Sequence, residues 1–254
     1  MNRPVLLVIA HGSRDPRHAA TVRALVRRAG ALRPGLRVET AFLDFNLPSV
    51  PGVLDRLAAD GVREVVALPL LLTRAFHAKA DIPAVLRQAP PRTSSWGDPR
   101  PSLTVRQAEV LGPSPLLIAA VERRLHEAGL TPGDKGTTGV VLASAGSTDP
   151  EAIAVIAETA RELRRTGWCS VRPAFASASL PRTEDAVRAL RTDPGVRRVA
   201  VAPYVIAPGR LPDRIATGAA GADVLADVLG PSPELARLLL ERYEAASRPV
   251  ARTA

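Results

Sequence analysis

The sequence predicts an α/β protein made of two tandem copies of one unit, each a parallel four-stranded sheet flanked by helices. Three observations lead there. First, the chain repeats itself: residues 110–115 read Val-Leu-Gly-Pro-Ser-Pro and residues 228–233 read the same six letters. Ala10-His11-Gly12-Ser13 returns as Ser144-Ala145-Gly146-Ser147, and Ala41-Phe42 with Leu47-Pro48 returns as Ala174-Phe175 with Leu180-Pro181. The offset holds at 133–134 residues (146 − 12, 174 − 41) and falls to 118 (231 − 113) after a Pro-rich loop at 89–101. A fixed offset of this kind marks a duplicated fold. Second, short apolar runs alternate with segments of helical period, the βαβ signature of a parallel sheet. Third, the apolar runs are continuous, as expected of strands covered on both faces.

The elements follow in order. Val5–Ala10 reads as a buried strand, and residues 19–28 as a helix with Val22, Leu25, Val26 and Ala29 on one face. Residues 38–43 form a second strand, 50–59 a helix ending near Gly61, and 64–72 a third strand rich in Val and Leu. A short helix at 82–88 and a weaker strand at 103–107 precede a helix at 115–128, opened by Ser114 as cap and Pro115 in the first turn. The second copy repeats the order: strands at 139–144, 170–175, 197–206 and 223–227, and helices at 150–164, 183–190, 211–218 and 233–246. The polar stretch 129–138 reads as a linker, giving domains at 1–130 and 137–247.

Composition narrows the function. Hydrophobic residues make up 46% of the 254-residue chain, its mean hydropathy is near zero, and no apolar run is long enough to span a bilayer. With no secretory layout at the N-terminus and a single cysteine, Cys169, the expectation is a cytoplasmic protein without disulfides and without a membrane partner. The net charge of +9 is carried mostly by arginine. Aromatic content of 3% and the lack of any basic run with interleaved aromatics argue against nucleic acid; the charge reads as arginine scattered over helix faces, with a small polycarboxylate ligand as the functional alternative.

What the copies do not share points to the chemistry. His11 aligns with Ala145, Asp44 with Ser177 and His77 with Leu211. All three fall at or just beyond the carboxyl ends of the first three strands. With the strand order 2-1-3-4 they would converge on one crevice beside the switch point. Two imidazoles and a carboxylate suit a borderline divalent ion such as Fe²⁺, Co²⁺ or Ni²⁺, and suit proton removal near neutral pH. Asp44 reads as a carboxylate inside an apolar strand end, where it needs a partner or a function. Gly12-Ser13 reads as a turn leaving backbone N–H groups open to an anion at a helix start. Arg14, Arg74 and Lys79 stand near the same crevice. His18 and His126 fall within helices among arginines and read as ordinary helix-face residues.

Three segments carry a family resemblance. Leu6-Leu7-Val8-Ile9-Ala10-His11-Gly12-Ser13-Arg14 resembles the opening of the class II chelatases, the sirohydrochlorin chelatase family. Phe42-Leu43-Asp44-Phe45-Asn46-Leu47-Pro48-Ser49 resembles its second signature, and Pro69-Leu70-Leu71-Leu72-Thr73 with His77-Ala78-Lys79-Ala80-Asp81-Ile82-Pro83 its third. The second copy is similar to the degenerate half of two-domain members. The resemblance implies tandem chelatase-like (flavodoxin-like) domains facing across a cleft. It implies ATP-independent insertion of Fe²⁺ or Co²⁺ into sirohydrochlorin, for siroheme or cobalamin, with Ni²⁺ or Zn²⁺ as possible substitutes in vitro and no cofactor beyond the substrate metal. It places His11 and His77 as catalytic and metal-binding residues and Asp44 where the family usually has Glu; Gly12, Ser13, Arg14 and Lys79, read above as an anion site and nearby cations, would then meet the tetrapyrrole polycarboxylate. The chain would act as a monomer or homodimer. Two other functions fit the residues: a metal or tetrapyrrole carrier without turnover, and a phosphohydrolase with His11 as nucleophile. Histidine phosphatases need an Arg before the His, and residue 10 is Ala.

Overall fold

The structure is a computed structural model that describes residues 3–74, 82–87 and 103–248. The first copy runs β1 (Val5–Ala10), α1 (Pro16–Leu32), β2 (Val38–Phe42), α2 (Val50–Ala59), β3 (Glu64–Pro69), α3 (Ile82–Arg87), β4 (Thr104–Gln107) and α4 (Pro115–Glu127). The second runs β5 (Thr138–Ser144), α5 (Pro150–Arg165), β6 (Ser170–Phe175), α6 (Thr183–Arg191), β7 (Arg198–Tyr204), α7 (Arg210–Gly218), β8 (Val224–Leu225) and α8 (Pro233–Ser247), after a 3₁₀ turn at Pro132–Thr137. Both sheets are parallel, with order β2-β1-β3-β4 and β6-β5-β7-β8, as the sequence predicts. Among the described residues no helix is long and apolar enough to cross a membrane.

Helix α1 begins three residues before its apolar face does. Asp15 accepts the Arg17 N–H at 2.9 Å and Pro16 opens the first turn, so the cap sets the boundary. The amphipathic faces of α2 and α3 cover one side of the first sheet, and α6 and α7 cover the matching side of the second. The other two faces meet in a single large core that both copies share, with Leu6, Val8, Leu68, Val140, Leu142 and Ala202 in it.

The last helix of each copy crosses to the other one, which the repeat did not foretell. Helix α8 packs on α1 and β3, and α4 packs on β7 and α5. The repeated hexapeptide receives the crossing helices. Arg242 of α8 donates to Leu111 O at 2.7 Å and to Val110 O at 2.9 Å. Arg124 of α4, its equivalent at the offset of 118, donates to Leu229 O at 3.0 Å. These are charged donors on carbonyls that end no ladder, and they satisfy half-buried backbone acceptors. Arg123 and Glu234 add a bidentate pair between α4 and α8, and the Tyr243 hydroxyl donates to Pro4 O at 2.7 Å. One core and two exchanged helices therefore fix the halves against each other, and a cleft remains where the carboxyl ends of both sheets meet.

Candidate functional site

The turn after β1 builds the site. The β2–α2 loop lies directly over it: Asp44 donates its N–H to His11 O at 2.9 Å, and Ser13 donates its N–H to Asn46 Oδ1 at 2.8 Å. The approach is so close that a Cβ on residue 12 would sit 1.9 Å from Asp44 O. Gly12 also has φ +97°, a region that L side chains rarely enter. Gly146 repeats both features, with φ +96° and 1.9 Å to Ser177 O. The backbone device is thus common to the two copies, and the side chain it displays differs: an imidazole at His11, a methyl at Ala145.

His11 is exposed at the rim. Its ring lies 6.3 Å from that of Phe45 at an interplanar angle of 24°, and the Arg14 guanidinium sits 5.2 Å from the Phe45 centroid. Phe45 has φ +59° and keeps about half its surface in water, so the loop holds an apolar ring outward beside the imidazole. Below this rim lies a cavity of about 410 Å³ between the halves. Its first wall includes His11, His18 and Thr73, and its second Ser144, Tyr204 and Arg210.

The cavity's polar groups are asymmetric between the copies. Ser144 and Tyr204 are buried neighbours on β5 and β7, and the first copy has Ala10 and Leu70 at their positions. Burial pushes the Tyr204 phenol well above its ordinary range, so it serves as a neutral hydrogen-bonding group. Ser144 Oγ is buried without a hydrogen-bond partner among the described residues. The second half therefore brings polar groups of its own to the cleft. In the first wall, His18 stands in the first turn of α1, with Nδ1 buried and unpartnered among the described residues. Burial, with the neighbouring His11 adding to it, holds the His18 imidazole below its ordinary pKa and favours the neutral ring.

The residues expected from sequence fare differently. His11, Gly12 and Ser13 line the cavity, and Arg14 lies at its rim against Phe45. The amide of Ser13 is not open to an anion. It is taken by Asn46, while the start of α1 is already capped by the Asp15 carboxylate. Asp44 corrects its reading as a strand-end carboxylate: β2 stops at Phe42, and Asp44 is exposed in the following turn, where Oδ1 accepts the Phe45 N–H at 2.8 Å. It touches the site through its backbone, and its side chain does not line the cavity. Arg74 pairs with Glu109 at 2.5 Å. His77 and Lys79 lie outside the described residues. Among those described, no group of three His, Cys, Asp or Glu side chains could hold a metal ion. Sequence reasoning missed His18, Ser144 and Tyr204, although the signal was present: each differs in polarity from its counterpart in the other copy.

Comparison with known proteins agrees with this architecture. Residues 5–128 and 139–246 each match CbiX, so the same family covers both copies. A sirohydrochlorin cobaltochelatase of Priestia megaterium is 27% identical over 215 residues, covering 83% of this chain and 66% of that protein. This chain thus spans slightly under two thirds of that relative's length. A sirohydrochlorin ferrochelatase of Bacillus subtilis is 26% identical, covering 84% of this chain and 78% of that protein. Among solved structures, SirB from Bacillus subtilis with Fe³⁺ superposes with a TM-score of 0.80 at 23% identity, covering 96% of each chain.

Proposed function

Because the chain belongs to the CbiX family, we propose that it is a sirohydrochlorin chelatase, a lyase that inserts Fe²⁺ or Co²⁺ into sirohydrochlorin without ATP. One observation carries the reading beyond the family: the cleft displays an imidazole, His11, beside an exposed aromatic ring, Phe45, on a turn whose twin in the other copy displays alanine. A flat macrocycle needs an apolar surface and a metal donor side by side, and these two residues supply them.

The reaction exchanges one divalent ion for two pyrrole N–H protons. His11 presents the ion to one face of the ring; as the metal–pyrrole bonds form, the bond from His11 to the ion breaks, the nitrogen so freed takes one pyrrole proton, and the second proton leaves to solvent. His77 shares the ion from the segment after β3, and Asp44 orients the His11 turn or passes protons to solvent from its exposed position. Phe45 stacks on the macrocycle. The cavity of about 410 Å³ opens to solvent between the two halves, so a tetrapyrrole can enter from the rim. Its carboxylate arms stay at the rim, where Arg14 and Arg210 neutralise them, and Lys79 is a further cation for them. Gly12 and Ser13 form the floor beneath the ring. One chain supplies both walls, so no second copy is needed for a complete site. The absence of a disulfide need suits the cytoplasm. Cobalt and iron are both bound by imidazole, and cellular supply decides between them.

The test is to mix the protein with sirohydrochlorin and each metal under anaerobic conditions and follow the absorbance against a protein-free control. Many turnovers per chain with Co²⁺ or Fe²⁺ are expected. Stoichiometric binding that does not outpace the uncatalysed reaction would make the protein a carrier instead.

A further inference from the structure

We propose that His18 is a further metal-holding imidazole of the cleft, sharing the incoming ion with His11 before it reaches the macrocycle. This rests on the reading that the cleft handles a divalent metal, and it adds a residue that neither the motifs nor the family match singles out.

Position is the first argument. His18 lines the same cavity as His11, on the same wall, in the first turn of α1. A divalent cation in this cavity would take both rings as neutral donors. The state of the ring agrees with this position. Nδ1 is sealed from water and has no hydrogen-bond partner among the described residues, so Nε2 is the nitrogen through which the ring meets a ligand. A half-buried imidazole with an unsatisfied nitrogen is a poor packing group, and its cost must be offset elsewhere.

The duplication supplies the third argument. Ala152 occupies the equivalent place on α5 (152 − 18 = 134), at the offset that pairs His11 with Ala145 (145 − 11 = 134). Ala152 is buried against the same cavity. The fold itself shows that alanine packs there, so the histidine is not required by the helix or the core. Both imidazoles of the described wall thus belong to one copy, and alanine replaces both in the other.

The probe is Co²⁺ alone, titrated anaerobically into the tag-free full chain and followed by its visible absorption. The set is the wild type, His18→Ala, His18→Gln, His11→Ala and the double alanine variant. Each His18 variant should loosen Co²⁺ by about 10- to 100-fold, on the scale seen for groups that tune a metal site. The double variant should fall well short of the product of the two single losses, because both rings hold one ion. His18→Ala should keep the wild-type thermal midpoint or exceed it. In insertion assays it should raise KM for the metal and leave KM for sirohydrochlorin unchanged. Wild-type affinity for Co²⁺ in both His18 variants, or single losses that multiply in the double, would overturn the inference and leave the chelatase reading intact. Coupled binding by both rings without insertion would do the reverse. A wild-type chain that takes up no Co²⁺ would overturn both.

Discussion

Replacing Gly12 by alanine, with Gly146 replaced likewise as its twin, separates the architecture of the turn from its chemistry. In each copy the added methyl carbon would lie 1.9 Å from a carbonyl oxygen of the crossing loop. Ordinary carbon–oxygen contact needs more than 3 Å, roughly, so the loop must move away by over an ångström. That movement breaks the Asp44 N–His11 O and Ser13 N–Asn46 Oδ1 bonds in the first copy, and the Ser177 N–Ala145 O and Ser147 N–Ser179 Oγ bonds in the second. Placing alanine at φ near +97° costs about 1–2 kcal/mol, and each lost hydrogen bond about 1 kcal/mol. Each variant should therefore lose about 3–4 kcal/mol, a large share of the roughly 5–15 kcal/mol that holds a folded chain. Urea denaturation should show similar shifts for both. Cobalt insertion, measured well below either unfolding midpoint, should collapse for Gly12→Ala, because the displaced residue is His11, and persist for Gly146→Ala. Equal losses of activity at equal folded fraction would refute the assignment of the chemistry to the first copy. An unshifted midpoint in Gly12→Ala would refute the packing argument itself.

Three further outcomes follow from the fold and the rim. Glu234, whose carboxylate is held below its usual range by the hydrogen bond from Arg123, contributes stability that is present above the ordinary glutamate pKa and lost as pH falls through the depressed folded value. Glu234→Gln should cost about 1–2 kcal/mol at pH 7 in thermal denaturation, the partial exposure of Arg123 limiting the figure, and should flatten this part of the acid limb. Leu239→Ala on the crossing helix α8, fully buried in the shared core, should cost about 2–5 kcal/mol and leave one cooperative transition; two resolved transitions would mean that the halves unfold separately. Phe45→Ala should raise KM for sirohydrochlorin about 2- to 12-fold, from the roughly 0.5–1.5 kcal/mol of an aromatic contact, without changing Co²⁺ affinity.

Much of the fold was legible because a duplicated chain states its pattern twice. The continuous apolar runs gave buried strands, and their alternation with helices gave the parallel pairing that both sheets follow. The exchange of α4 and α8 was hidden because an amphipathic helix reads the same whichever sheet receives it. The repeated hexapeptide identified the duplication but not its use as a dock for Arg124 and Arg242. At the site, His11 stood out through its loss in the second copy. His18 meets the same criterion, but a histidine among arginines on a helix reads as solvated. Only the packing of α1 against the other half turns it toward the cleft. Asp44 misled for the opposite reason: its apolar neighbours in sequence suggested burial, yet Phe45 itself points outward. The open amides expected at Gly12-Ser13 were lost to Asn46, a contact across 33 residues that no local pattern encodes.

The most direct test is the rate of cobalt insertion into sirohydrochlorin at limiting metal by His11→Ala, compared with the wild type at equal folded fraction. A fall of about 10²- to 10⁴-fold, the scale of a lost proton acceptor alone, is the predicted result. Insertion at the wild-type rate would mean that the metal reaches the ring without the imidazole on the first copy's turn.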